Sequence, residues 1–491
     1  MPLHYIRWVT QSAGLPAGRA VVWDDRAVLT AGASIVLGGA PWRVLRIAPP
    51  GRDFARRLAS AGPAGLVPRA GVEHRLADLL LTRGVVHPAA VSAPATPIDV
   101  VVPVYEQPDL LDRCLSSLRA ASPQVHLIVV DDGSIDTSVG DVALAHGATL
   151  LRHPANRGPA AARNTGLHHA GAPLVAFIDA DCTVNAGWLE PLVAHFDDPR
   201  VAAAAPRVRA AGGPGLLGRY QHAHSALDMG PRPELVSPGA PLGYVPSAAL
   251  LVRRSGVPDF DEDLRVGEDV DLIWRIVDGG AMVRYEPAAT VDHATRPTVR
   301  QWAVRIADYG TSAAPLEQRH PGRLTPARFS AWTLTAAAIL LAGKLRAPMR
   351  LAAAAVPVTL AAWRVARTVK ATSSEWAVVP AVVATAARAD AGAAGRLLRR
   401  EWWPLGWSAL LLTPRSRIAR AAAAAMLASL AREWIRCRPD IDPVRYVALR
   451  LADDAAYGSG VIRGGVRARR LSVVLPTLRQ RTQKKPTALS L

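Results

Sequence analysis

Between residues 98 and 290 the chain alternates short apolar runs with longer segments of helical period. The runs IDVVVPVY, VHLIVVDDGS, TLLRH, PLVAFIDAD and VAAAAPRV are close to uninterrupted, whereas DLLDRCLSSLRAA, a segment near 137–147, AAARNTGLHHAG and WLEPLVAHF between them read as amphipathic helices. A strand that is apolar on both sides must be covered on both faces. The pattern therefore predicts an α/β domain built on a mostly parallel sheet flanked by helices. Ligands of such sheets bind beyond the carboxyl ends of the strands.

The flanks carry other patterns. Residues 1–90 read as two strands, AVLTAG and SIVLGGAPWRVLRI with its turn at Gly38 and Gly39, followed by two helices, DFARRLASAG and EHRLADLLLTRGVVHP. In the second helix Leu76, Leu79 and Leu80 share one face and Gly84 closes it. This stretch holds no nucleophile, metal cluster or phosphate loop, which suits a small α+β module for binding or packing. VSAPATP, residues 91–97, is a Pro/Ala linker, so a second domain spans 98–320.

Beyond it the uncharged runs 329–343, 351–363, 376–387 and 402–414 are alanine-rich, and Lys344, Arg346 and Arg350 interrupt the first two. None reaches the roughly 18 to 20 residues that span a bilayer. A helical region over 321–462 follows, either a packed bundle or interfacial helices held on a membrane by basic flanks and by Trp402, Trp403 and Trp407. Residues 463–491 carry eight basic side chains and no acidic one, the composition of a disordered tail.

Charge is informative only when it is divided by region. The net charge of +18 comes from 30 basic against 32 acidic residues over 1–320, and 28 against 8 over 321–491. A near-neutral α/β region beside a basic, apolar one points to an anionic membrane surface and away from nucleic acid. Cys114, Cys182 and Cys437 have no metal-ligand spacing, so a reducing cytoplasm or the cytoplasmic face of a membrane is the expected setting. MPLHYIRWVT lacks the basic start and apolar core of a secretory signal.

Candidate chemistry falls at the strand ends. VVPVYEQP ends a strand in Pro103 and Tyr105; a proline there frees the backbone for a ligand and equally fits a plain turn. In LIVVDDGSIDTS, Asp132 could accept a hydrogen bond from a base N–H, while Ser134 or Asp136 could cap the next helix, the simpler role for Asp136. In HPANRGPAAARNTGLHHA, Arg157, Gly158, Arg163 and Asn164 flank a helix start and suit an anion, with solvated arginines as the alternative.

FIDADC brings Asp179 and Asp181 to a strand end, where positions i and i+2 leave on one face. With phosphate oxygens they would complete a Mg²⁺ or Mn²⁺ site, although a solvated turn is the commoner origin of such a pair. Cys182 beside them reads as a small apolar residue. GEDVDLIWR opens a helix with Glu268, Asp269 and Asp271, favoured by the dipole; Val270, Ile273 and Val277 make its buried face and leave Asp269 free. His293, after VRYEPAATVD, is either a structural histidine or a ligand beside a metal-bound diphosphate.

These motifs in this order, VVVPVY, VDDGS, RGPAAARNTG, DAD and GEDVDLIWR, resemble the family 2 glycosyltransferases, whose fold is the Rossmann-like GT-A. The resemblance implies a nucleotide-sugar donor, Mg²⁺ or Mn²⁺, and inverting transfer. On the matching positions, Pro103 and Tyr105 would border the donor, Asp132 and Arg163 would contact its nucleoside, and Asp179 its ribose. Asp181, with His293, would hold the metal, and Asp269 would be the catalytic base.

Gln301, Trp302 and Arg305 do not reproduce the QxxRW motif of processive synthases, which speaks against a cellulose-like machine. The first 90 residues resemble winged-helix domains that hold precursor peptides in ribosomally made, modified peptide pathways. With YGTSAAPLEQRHP and the apolar C-terminal region, the whole is similar to the family 2 enzymes of mycofactocin systems. That implies transfer of glucose from UDP-glucose to a peptide-derived redox cofactor, mycofactocin or its precursor, as β-1,4-linked oligoglucose. The alternative acceptor is a polyprenyl phosphate or a cell-envelope glycan.

Overall fold

The computed structural model describes residues 14–30, 32–91, 95–342, 346–368 and 376–479, so the N-terminal MPLHYIRWVT and part of the expected linker lie outside the described residues. The chain forms two compact units. One consists of the chain up to Gly213 with His224–Thr295; the other consists of Pro214–Ala223 with the chain from Arg296 onward.

The first unit begins with β1 (Val21–Trp23), β2 (Val28–Leu29), β3 (Ile35–Gly38), β4 (Arg43–Arg46), α1 (Arg52–Ser60), α2 (Val72–Thr82) and β5 (Val86–Pro88). β2, β3 and β4 form an antiparallel sheet, and β5 returns to pair with β1. Leu76 and Leu80, one turn apart on α2, are fully buried in a core with Phe54, Leu58, Val36 and Ile47, whereas Leu79 is only partly covered.

Next come β6 (Ile98–Val104), α3 (Pro108–Ala121), β7 (His126–Asp131), α4 (Ser138–Ala145), β8 (Thr149–Arg152), α5 (Pro159–His169) and β9 (Leu174–Ile178). β9, β6, β7 and β8 lie side by side and parallel, with Val100, Val102, Leu127, Val129 and Ala176 in the core against Leu111, Leu115 and Leu118 of α3. This is the expected α/β arrangement. The rest of the unit is β10 (Cys182–Val184), α6 (Glu190–Val193), β11 (Val201–Ala210), β12 (Glu234–Val236), β13 (Ala249–Arg253), α8 (Glu268–Asp278) and β14 (Met282–His293), while α7 (Leu216–Ala223) belongs to the other unit.

β13 joins β9 antiparallel, and β11, β14, β10 and β12 extend the sheet to nine strands of mixed sense. Only β11 and β14 in this half run parallel, and their register jumps after Pro206 and Glu286. Pro206 and Pro287 have no N–H to give a ladder, so a break there costs little.

The second unit is helical: α7, α9 (Val299–Thr311), α10 (Ala313–Arg319), α11 (Ala331–Leu341), α12 (Ala347–Thr368), α13 (Val378–Arg399), α14 (Trp403–Leu411), α15 (Arg417–Cys437) and α16 (Pro443–Arg467). The stretch from 463, expected to be disordered, is ordered as far as residue 479; residues 480–491 lie outside the described ones. α16 runs on to Arg467 because it seats against α9. A Cβ on Gly460 would lie 1.9 Å from the Ala307 carbonyl oxygen, so only glycine permits that approach. Past it, β16 (Thr477–Leu478) pairs with β15 (Arg328–Phe329).

Among the described residues one helix, α12, is long and apolar enough to cross a membrane. It outruns the uncharged segment from which its length was expected because the helix continues through Arg350 and Arg364 at its ends.

Candidate active site

The carboxyl ends of β6, β7 and β9 gather Tyr105, Asp131, Asp132 and Asp179, as the strand pattern requires. Their side chains do not all face a ligand. Asp132 is buried, and its carboxylate accepts hydrogen bonds from the Arg157 N–H (2.9 Å), the Gly158 N–H (2.7 Å) and His153 Nδ1 (2.7 Å). The anion at the start of α5 is thus Asp132 itself. This differs from the expected external anion, and the reason is visible in the turn: Gly133 sits at φ +82°, and a Cβ there would meet Ala155 at 2.5 Å, so the 131–134 turn lies directly against the loop leading into α5.

The neighbouring side chains of that motif are also engaged within the protein, Arg157 at the surface and Asn164 inside. Arg157 pairs with Glu262 (2.9 Å), and Asn164 exchanges hydrogen bonds with the backbone of Phe260 (3.0 and 2.8 Å). Asp136 accepts the Ser138 N–H (3.0 Å) from one residue before Thr137, the N-cap of α4, so it closes the turn into the helix and does not take the N-cap position. Pro103 pairs within the sheet opposite Val130, and Tyr105 beyond it is exposed.

Arg163, on α5, joins two parts of the cleft. One amino group donates to Asp179 Oδ1 (2.6 Å) and the other to Glu268 Oε1 (2.9 Å), while the guanidinium lies 5.5 Å from the centre of the Phe260 ring. The side chain is 4 % exposed, so the geometry assigns it to these carboxylates and not to the nucleoside that the resemblance implied. Burial opposes its charge, but Asp179 and Glu268 hold it above the ordinary arginine range.

The DAD pair is divided. β9 stops at Ile178, and the Cys182 N–H closes a turn on the Asp179 carbonyl (2.9 Å), so strand alternation no longer sets the two directions. Asp179 turns to Arg163, while Asp181 Oδ2 lies 3.1 Å from His293 Nε2. The second meeting follows from register: β10 and β14 are antiparallel with Cys182 opposite His293, and the Ala294 N–H donates to the Asp181 carbonyl (2.9 Å). No group of three or more His, Cys, Asp or Glu that could hold a metal occurs among the described residues. One carboxylate and one imidazole at a single point nevertheless fit a divalent ion whose other positions are filled by diphosphate oxygens and water. Cys182 and Cys114 are buried, and burial together with the nearby Asp179 and Asp181 pushes both thiols up, which suits the packing role read for Cys182.

Asp269 is the second residue of α8 and is partly exposed. Among the described residues it forms no ion pair; its oxygens accept the Val270 N–H (2.8 Å) and, at 3.4 Å, the Ser247 N–H. Burial first, then the Glu268 carboxylate, push it up to about 7, against the pull of the N–H donors and Arg163. A carboxyl poised there can accept a proton near neutrality.

Sequence reasoning passed over His153, Phe260 and the segment 237–247 that brings Ser247 to Asp269 and gives its Gly243 carbonyl to Trp274 Nε1 (2.9 Å). The density of Pro and Gly in SPGAPLGYVPS, just before the buried run AALLV, was the available signal for the last. Gln301, Trp302 and Arg305 fall in the second unit. There Gln301 takes the Thr298 cap of α9, Trp302 packs edge-on to Tyr220 (5.6 Å) and Arg305 stacks on Tyr309 (4.8 Å).

Residues 99–256 match the glycosyl transferase family 2 model. The pre-mycofactocin glycosyltransferase of Mycobacterium tuberculosis is 39% identical over 479 residues, which cover 95% of this chain and 99% of that protein. The succinoglycan biosynthesis protein ExoU of Rhizobium meliloti is 28% identical over 203 residues, 39% of this chain and 59% of that one. Among solved structures, the mannosyltransferase PcManGT of Pyrobaculum calidifontis, in complex with GDP-Man and Mn²⁺, covers 70% of this chain and 89% of its own at 21% identity, with a TM-score of 0.37.

Proposed function

Since the chain belongs to the family 2 glycosyltransferases, we propose that it is an inverting, metal-dependent enzyme that moves glucose from UDP-glucose to a peptide-derived acceptor, mycofactocin or its precursor, building β-1,4-linked oligoglucose. The acceptor class is supported by identity along nearly the whole length of the pre-mycofactocin enzyme, the N-terminal module included. The observation that carries the chemistry is Asp269: a carboxyl with no ion partner among the described residues, near neutrality, on the helix that Arg163 ties to the Asp179 turn.

In this reading Asp179 offers its second carboxylate oxygen to the donor ribose, and Pro103 and Tyr105 border the nucleoside. Asp132 acts through the loop that it pins. Bound between Asp181 and His293, Mg²⁺ or Mn²⁺ would supply charge to neutralise the departing diphosphate. Asp269 takes the proton from the acceptor hydroxyl as that oxygen bonds to the anomeric carbon. The bond from the same carbon to the diphosphate oxygen breaks on the opposite face, the electron pair leaves with the nucleotide, and the configuration inverts.

The test is product mass. Incubated with UDP-glucose, a divalent ion and either the peptide-derived acceptor or a polyprenyl phosphate, the enzyme is expected to add hexose units to the first. Hexose on the lipid alone would replace this reading with the envelope one.

That second reading is kept because of exposed apolar side chains on the helical unit: Leu351, Val356 and Trp363 on α12, and Leu405, Trp407 and Leu411 on α14, the last 80 % exposed. With Arg415, Arg417 and Arg420 exposed just after α14, they suit the cytoplasmic surface of an anionic membrane. Co-sedimentation with phosphatidylglycerol vesicles, weakened about tenfold by Leu411→Glu, is the expected result. No co-sedimentation with these vesicles would remove the membrane from the account.

A further inference from the structure

Three carboxylates, Asp179, Glu268 and Asp269, surround one buried guanidinium, and only the first two bond to it. Those two come from different elements, the turn after β9 and the first residue of α8. The guanidinium that bridges them has no accessible face left: Phe260 covers one side, its Nε is enclosed without a partner, and the side chain is 4 % exposed. Such a group can do nothing to a substrate directly. It can fix how far the donor-facing carboxylate lies from the helix that carries Asp269.

We propose that Arg163 and Glu268 are positioning residues: through one guanidinium bridge they hold the Asp179 turn against the first turn of α8 and set the place and surroundings of Asp269, without touching the donor themselves. The proposal rests on the reading of Asp269 as the base.

The charged groups around Asp269 are few. On α8 itself stand Glu268 and the self-paired Asp271 and Arg275 (2.6 Å). From α5 comes Arg163, from the β9 turn Asp179 behind it, and from the 237–247 segment only the Ser247 N–H. The titratable groups of β14, against which α8 packs, are engaged elsewhere: Glu286 with His195, Asp292 with Arg209, His293 with Asp181, and Arg284 beside Asp198 and Arg200. Burial acts most strongly on Asp269; of its charged neighbours, Glu268 pushes it up and Arg163 pulls it down. A carboxylate neighbour disfavours ionisation, and a guanidinium favours it.

The experiment is the pH dependence of kcat/KM on the full-length enzyme for Glu268→Gln and Arg163→Met, with UDP affinity measured alongside. Glu268→Gln is nearly isosteric and is expected to move the acid limb down by about 0.5 to 1 pH unit; Arg163→Met is expected to move it up. UDP affinity should stay within about threefold for Glu268→Gln, which is not a donor contact. Should Arg163→Met fail to fold, Glu268→Gln decides alone. An acid limb that stays or rises in Glu268→Gln overturns the proposal, as does a loss of UDP binding with the limb unchanged. Failure of the base reading is separate and shows as transfer by Asp269→Asn at the wild-type rate.

Discussion

Both units bury charge, and they do so differently. In the helical unit every member of the cluster around α16 faces a guanidinium: Glu433 lies 3.0 Å and Asp453 3.6 Å from Arg450, and Asp454 lies 3.1 Å from Arg399. Tyr220 and Tyr446 add hydroxyl donors at 2.6 Å to Asp453 and Glu433. In the α/β unit two carboxylates, Asp179 and Glu268, share Arg163, and Asp269 beside them is left with two backbone N–H groups. Burial also raises Asp453, so a raised carboxyl by itself does not mark a site. What separates the two is that Asp269 has no ion partner among the described residues and lies beyond the ends of parallel strands. A paired buried cluster fixes how helices pack; an underpaired carboxyl in a cleft is available to take a proton.

The comparison breaks most sharply at Asp269. Asp269→Asn is expected to lower kcat by about 10²- to 10⁴-fold with UDP binding nearly intact by calorimetry. Asp453→Ala should do the reverse: it strands Arg450 and should cost the protein roughly 3 to 5 kcal/mol in denaturant titration, while kcat per folded molecule holds. Asp181→Ala should raise the Mn²⁺ concentration for half-maximal activity by at least about tenfold, and chelation of the wild-type enzyme should stop transfer until metal is restored.

The last effect concerns stability. Asp269 is raised when folded, so between about 4 and 7 the unfolded chain binds fewer protons than the folded one, and wild-type stability falls as pH rises through that window. Asp269→Asn lacks this loss. Its advantage in thermal unfolding should grow from pH 5 to pH 7, level off above, and amount to something on the order of 2 kcal/mol. A constant difference across that range would mean that Asp269 is not raised in the folded enzyme.

The parallel half of the sheet was legible because its strands are continuous Val, Ile and Leu runs, and their ends were where polar clusters fell. The mixed half was not: β13 beside β9 and β10 beside β14 are pairings between distant segments, and alternation along one strand says nothing about its neighbour. The same holds within the site. GEDVDL marked the helix that carries Asp269, but nothing local shows that Asp132 turns its carboxylate into the loop before α5, or that Arg163 is closed in by Phe260. Those inward turns depend on which chain passes alongside. Motif spacing brought the right residues to one cleft and left open which of them face out of it.

The most direct test of the account is the stereochemistry of transfer. A reaction of UDP-glucose with the peptide-derived acceptor, followed by proton NMR of the anomeric signal, should give a β-linked glucose with the wild-type enzyme and at least about 100-fold slower transfer with Asp269→Asn. An α-linked product, or β-transfer at wild-type rate by the Asn variant, would contradict it.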